Sequence, residues 1–179
     1  MTADEFILWA MAQPEGHRYE LVAGEVVATS PERAGHNEGK LAAILALRKA
    51  IRDAGLPCQA HMDGMAVRVD ATTVYEPDAL VRCGRRLDPE AVEVTDPVIV
   101  VEVISPSTHK VDTTQKLADY FRLASVHHYL IVNTSRRSVV NHQRDVAGGI
   151  GTRIAALGRL ALAPPGLELA VAALLPEPD

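Results

Sequence analysis

The sequence predicts an α/β fold: a mixed central β-sheet flanked by helices, entered through an N-terminal helix and a hairpin. Three observations predict it. Residues 98–104 form the most apolar run of the chain, and their β-branched content marks a central strand. A helical stripe of Leu117, Tyr120, Phe121 and Ala124 follows, and then a second apolar strand over 129–132. A helix between two such strands implies a right-handed crossover and a parallel pair within a mixed sheet.

Each element has a local cause. Thr2 and Glu5 have capping-box spacing, so a first helix starts there, carries Phe6, Ile7 and Trp9, and stops before Pro14. Residues 19–22 and 25–28 are short strands separated by Ala23-Gly24, a two-residue hairpin signal. Beyond Pro31, a long helix is expected over 35–54, with Leu41, Ile44, Leu45 and Ile51 on its apolar side and Gly55 past its end. The period then becomes extended. Met65, Val67 and Val69 alternate with Ala66 and Arg68, and residues 75–83 form one further extended run containing Glu76-Pro77-Asp78. Residues 85–97 are polar and read as a loop or short helix. Pro106 breaks the chain after the central strand. Asp112, with Gln115 three residues later, is expected to cap the crossover helix to about Ala124. Residues 138–143 read as an outer strand, before a β-rich tail broken by Pro164-Pro165-Gly166.

Composition narrows the function. The 179 residues suit one buried domain spanning 1–179, and 47% hydrophobic with 23% charged residues is ordinary for a globular protein. Against 18 Lys+Arg stand 23 Asp+Glu, a formal charge of -5, which excludes a basic coat that holds nucleic acid by charge alone. No apolar run is long enough to span a membrane and no signal peptide is evident. Cys58 and Cys83 make no disulfide framework, so a reducing cytoplasm is the expected location.

The sharpest chemical anomaly is Glu102, set among Val98-Ile99-Val100-Val101 and Val103-Ile104. An ionised carboxylate there costs several kcal/mol unless a cation, a metal or hydrogen bonds offset it. Its place near the C-terminal end of a parallel strand is where open sheets put ligands. Asp78, just before Ala79-Leu80-Val81, brings a second acid into a second apolar strand. If the strands are neighbours, the two carboxylates can meet and hold a hard divalent cation. Lys116 lies early in the next helix, in one row with Tyr120, where its ammonium can reach back to the strand end. Lysine is rare here, at positions 40, 49, 110 and 116 only. His109 and Lys110 could grip phosphate, though a plain polar loop explains them equally well. Arg82, Arg85 and Arg86, with Arg136 and Arg137, read better as scattered surface arginines than as a backbone contact. His127 and His128, adjacent on a strand, point to opposite faces and make no single metal site.

Glu76-Pro77-Asp78, Glu102-Val103-Ile104-Ser105-Pro106-Ser107-Thr108 and Lys116-Leu117-x-x-Tyr120 together resemble the signature of the Uma-two family, a bacterial branch of the PD-(D/E)xK nuclease superfamily. Residues 19–25, Ser30-Pro31 followed by His36, and the Pro-Gly-Leu-Glu-Leu core of 160–169 extend the resemblance over most of the chain. It implies a restriction-endonuclease-like fold and metal-dependent hydrolysis of nucleic-acid phosphodiesters, with DNA the expected substrate. Asp78, Glu102 and Lys116 would be catalytic. Asp78 and Glu102, with the Val103 carbonyl, would hold Mg²⁺ or Mn²⁺, and Glu20, His36 and Tyr120 would line the cleft. The superfamily's usual lysine position is Ile104 here, and the resemblance implies that its lysine stands on the following helix, as Lys116. The chain departs from the family at His128, where an acid is usual, and at Asn133, an amide for an acid. With the net charge, those departures favour one rival reading: a catalytically inactive nuclease-fold module that binds nucleic acid or a protein partner. A homodimer would supply the two sites that cutting two strands commonly uses.

Overall fold

A computed structural model describes residues 1–14, 16–29, 31–104 and 113–177. The capping box forms as expected: the Thr2 hydroxyl accepts from the Glu5 amide, the Glu5 carboxylate accepts from the Thr2 amide, and α1 runs Ala3–Met11. The hairpin follows as β1 (Tyr19–Val22) and β2 (Glu25–Ala28), with positive φ at both turn residues, Ala23 and Gly24. α2 spans Ala34–Ala54 and ends where Gly55 takes the left-handed conformation.

The strands divide between sheets. β3 (Cys58–Met62), β6 (Ala79–Cys83), β7 (Ile99–Ile104), β8 (His128–Asn133), β9 (Ser138–Arg144) and β10 (Ile150–Ala155) form a six-stranded sheet in the order β10-β9-β8-β7-β6-β3. Only β7 and β8 are parallel in it, joined through α3 (Thr113–Tyr120) as the crossover rule requires. β4 (Val67–Asp70) and β5 (Thr73–Tyr75) complete a second sheet, β2-β1-β5-β4. β11 (Arg159–Leu162) and β12 (Leu167–Ala170) make a separate hairpin, followed by a 3₁₀ turn over Val171–Leu174. Among the described residues no helix is long and apolar enough to cross a membrane.

Four expectations need correction. The run 75–83 is two strands in two sheets, because Glu76-Pro77-Asp78 carries the chain from β5 to β6; proline supplies no ladder N–H there. Leu41 and Leu45 of α2 are exposed, 52% and 56%. The buried face is instead His36, Lys40, Ala43, Ile44, Leu47, Ala50 and Ile51, where small residues let the helix lie close to the sheet. Cys58 and Cys83 are joined, since antiparallel pairing sets them opposite each other on β3 and β6. Closing a loop of 25 residues contributes about 3 kcal/mol by chain entropy. Finally, α3 ends at Tyr120, not near Ala124. Its expected Asp112 cap, and Ser30, Ser105–Thr108, His109 and Lys110, lie outside the described residues.

One core lies between α2, the inner strands and the C-terminal hairpin, including Leu47, Val81, Val101, Val103, Leu130 and Leu160. A second, on the opposite face of β7, gathers Tyr75, Leu80, Val100, Tyr120 and Tyr129. A third seats Phe6 of α1 against Leu21 and Val74. α2 lies tight against the sheet at Gly39, where a Cβ would lie 2.8 Å from Thr134 Cγ2 and 2.9 Å from Val103 Cγ1.

Candidate active site

The antiparallel register of β6 on β7 pairs Ala79 with Val101, so Asp78 and Glu102 leave adjacent strands at the same end of the pair. The Val103 amide donates to Asp78 Oδ2 at 2.7 Å. An extended residue directs its amide and carbonyl to the same side, so the Val103 carbonyl faces the side occupied by Asp78. The aspartate therefore continues, through its side chain, the ladder that β6 has just left.

Lys116 supplies the charge that makes buried acids tolerable. Its Nζ donates to Glu102 Oε1 at 2.8 Å and to Glu20 Oε1 at 2.9 Å, with side-chain exposures of 7% for the lysine, 13% for Glu102 and 4% for Glu20. Tyr120, one turn on, donates its hydroxyl to the same Glu102 oxygen at 3.0 Å. Glu20 comes from β1, and its Oε1 also accepts from the Glu76 amide at 3.1 Å, which ties the second sheet to the site. The Lys116 ammonium lies over the Tyr75 ring, 4.9 Å from its centroid. Burial pushes the Glu102 carboxyl up to about 7, helped by the neighbouring charges of Asp78 and Glu20 and opposed by Lys116. Burial alone would lower the lysine's pKa, but Glu102 and Glu20 outweigh it and hold the ammonium firmly protonated.

On the other side of Asp78, α2 contributes His36 and Lys40. His36 Nε2 lies 3.5 Å from Asp78 Oδ1, and its hydrogen bond to that carboxylate raises its pKa despite burial. Lys40 Nζ lies 2.5 Å from both Glu32 Oε2 and Asp63 Oδ2 and 3.9 Å from Asp78 Oδ1. Arg18 pairs with Asp63, Glu32 and Glu76. Burial would lower the Lys40 pKa; hydrogen bonds to Asp63 and Glu32 reverse the sign.

Asp78, Glu102, Lys116, Glu20, His36 and Tyr120 are thus brought to one end of the β6–β7 pair, together with the Val103 backbone. The sequence offered no signal for Glu32, Asp63 or Arg18, and marked Lys40 only by its rarity. Polar residues on a helix or in a turn read as solvated, and the contacts that join Asp63 to Lys40 and to Arg18 bridge 23 and 45 positions along the chain. Other candidates fall elsewhere. Arg82 is held by Asp96 through two hydrogen bonds of 2.9 and 2.8 Å. Asn133 accepts from the Arg136 amide in a turn, and Arg137 donates to the Pro176 carbonyl. His128 is fully buried with Nδ1 3.3 Å from Asn141 Oδ1.

The donor set fits a divalent ion. Carboxylate oxygens suit hard cations. Hydrogen bonds from Lys116 and Tyr120 both fall on Glu102 Oε1, leaving Oε2 outside that pair, and the Val103 amide engages only Oδ2 of Asp78. Asp78 also belongs to a second compact group: ligand atoms of Glu32, His36 and Asp78 all lie within 4.8 Å of one another.

Comparison with known proteins agrees with this architecture. The chain is 26% identical over 182 residues to the uncharacterized protein slr1290 of Synechocystis sp. PCC 6803, covering 96% of this chain and 89% of that protein. Its fold matches the crystal structure of a putative nuclease of the DUF820 family from Anabaena variabilis, with a TM-score of 0.76, 12% identity and 97% of each chain covered. The family model Uma2, described as putative restriction endonuclease, matches residues 3–173, and the chain belongs to that family.

Proposed function

We propose that the protein is a metal-dependent endonuclease that hydrolyses phosphodiester bonds of DNA at the end of the β6–β7 pair. The observation that carries this is the Lys116 ammonium, bonded at 2.8 Å to Glu102 and at 2.9 Å to Glu20 beside the anchored carboxylate of Asp78. Two buried acids and a buried lysine on three elements have no packing rationale, since apolar residues of similar volume would be cheaper there. Asp78 and Glu102, with the Val103 carbonyl, would hold Mg²⁺ or Mn²⁺. Such an ion supplies positive charge to the phosphoryl oxygens and acidifies the attacking water.

The chain's own groups do the rest. The Val103 amide fixes the Asp78 carboxylate in place. Tyr120 and Lys116 hold the Glu102 oxygen, and the protonated Lys116 would orient the water through an N–H hydrogen bond or stabilise the developing phosphoryl charge. Glu20 keeps that ammonium at the strand end. Supercoiled DNA incubated with Mg²⁺ or Mn²⁺ should be nicked by the wild type and left intact by Asp78→Asn and Glu102→Gln. Divalent ions should raise the wild-type Tm and leave Glu102→Gln unmoved. Nicking by both variants at the wild-type rate would refute the assignment. DNA binding with no cleavage in either metal would make the protein a non-catalytic module instead.

A further inference from the structure

Away from the carboxylates, a cavity of about 600 Å³ opens between the C-terminal half of α2, the edge strand β3 and the loop after β6. Its wall includes Arg48 and Arg52 from α2, Arg86 from the loop and His61 from β3. Among the described residues, none of the three arginines is held by an ion pair or a hydrogen bond. Nearby, Asp53 pairs with Lys49; Asp88, the one acid in the wall, accepts from the Glu90 amide and keeps its charge, so the arginines outnumber it three to one. The helix end is neutralised too, since the Gly55 and Leu56 amides cap the Arg52 and Ile51 carbonyls. His61 Nε2 is buried without a hydrogen-bond partner. In a chain of formal charge -5, three free guanidinium groups around one concavity make a local anion trap.

The cavity and the candidate active site draw on two of the same elements, α2 and the β3 strand with the turn after it. Lys40 and Arg48 sit eight residues apart on α2, which is about 12 Å at the helical rise, and Arg52 is about 18 Å away. On the other wall His61 precedes Asp63, the Lys40 partner, by two residues. A nucleic-acid strand advances about 3.4 Å per phosphate, so the arginines lie about three to five nucleotides from the acidic end.

We infer that the Arg48, Arg52 and Arg86 cavity binds phosphate groups, and that those groups belong to the DNA backbone a few nucleotides from the bond being cut. This rests on the nuclease assignment for the identity of the polymer; the phosphate chemistry stands without it. These side chains carry no structural partner, so Arg48→Gln, Arg52→Gln and Arg86→Gln can be combined without unfolding the protein.

The test is equilibrium binding of a fluorescent 20-base-pair duplex, with the salt concentration varied in the absence of divalent ions. The triple variant should bind about tenfold to a hundredfold more weakly at 0.1 M salt. Its log K against log salt slope should be shallower by about 2 to 3. Arg136→Gln with Arg153→Gln, exposed elsewhere, should leave both quantities unchanged. A second arm titrates inorganic phosphate and follows Tm. If wild type binds the duplex and the triple variant matches it, the phosphate site is overturned and the nuclease assignment is untouched. If wild type binds no duplex but phosphate raises its Tm, and the triple variant loses that rise, the site stands as one for free phosphate and the DNA assignment fails. No response of wild type to either probe overturns the site.

Discussion

Lys40 and Lys116 are both buried ammonium groups, 3% and 6% exposed, flanking the same pair of strands, yet they are compensated in different ways. Lys116 lies between two carboxylates, Glu20 and Glu102, for which it is the sole ion-pair partner among the described residues. Lys40 shares its acids: Asp63 and Glu32 also face Arg18, and both are more open to water, at 16% and 26%. One cluster is a dry triad with no reserve; the other is a wetter network with a second cation in place. Charge burial is therefore concentrated on the side where the two sheets meet, and the cost of disturbing it should be unequal.

The largest effect is expected from Lys116→Met. It strands two buried acids and should destabilise the protein by about 3–5 kcal/mol at pH 8. The loss should shrink at pH 6, where the carboxyl with its value near 7 takes up a proton instead. Adding Glu102→Gln should return part of the loss, so urea denaturation of the double variant measures the coupling. Equal destabilisation at both pH values would break the comparison.

Next comes the pH dependence of Glu102 itself. Burial, its dominant influence, sets the folded value near 7 against an ordinary value of 4.5. The native state then binds the extra proton between those limits, so this residue's contribution to stability falls as pH rises from about 4.5 to about 7. His36, raised by its hydrogen bond to Asp78, changes in the same direction: its contribution is full below its unfolded value and is lost as pH rises through the folded one. Glu102→Gln leaves the contribution of His36 in place and removes that of the carboxyl. Its stability relative to wild type should improve by about 2–3 kcal/mol between pH 5 and pH 8, read by urea titration at both.

The smallest effect is assigned to Lys40→Met. Arg18 remains beside both acids, so about 1–2 kcal/mol is expected, rising when Arg18→Met is added. A loss as large as that of Lys116→Met would show that the reserve guanidinium does not compensate.

Much of this was legible from residue order, for identifiable reasons. Glu102 stood out because six aliphatic neighbours make a solvated or arginine-paired strand-end carboxylate the less favoured account, and Lys116 followed from helical spacing to Tyr120. The capping box, the hairpin and the crossover are local or nearly local, and they form as expected. Glu20 and His36 were visible only through family resemblance, because their roles depend on β1 and α2 converging from distant positions. The joined cysteines required the β3–β6 register, which two isolated thiols do not encode. Leu41 and Leu45 misled because leucine outranks alanine in hydrophobicity, whereas α2 turns Ala43, Ala46 and Ala50 inward.

Gly39 lets α2 touch down on Val103 and Thr134 with no carbon atom between its backbone and their methyl groups. His36 and Lys40 flank that landing point, so the missing methyl governs how far their tips plunge past the sheet toward Asp78. An alanine there would jack the helix outward and withdraw both at once. The reach of two buried polar side chains toward Asp78 is thus governed by the smallest residue between them, one that bears no chemistry of its own.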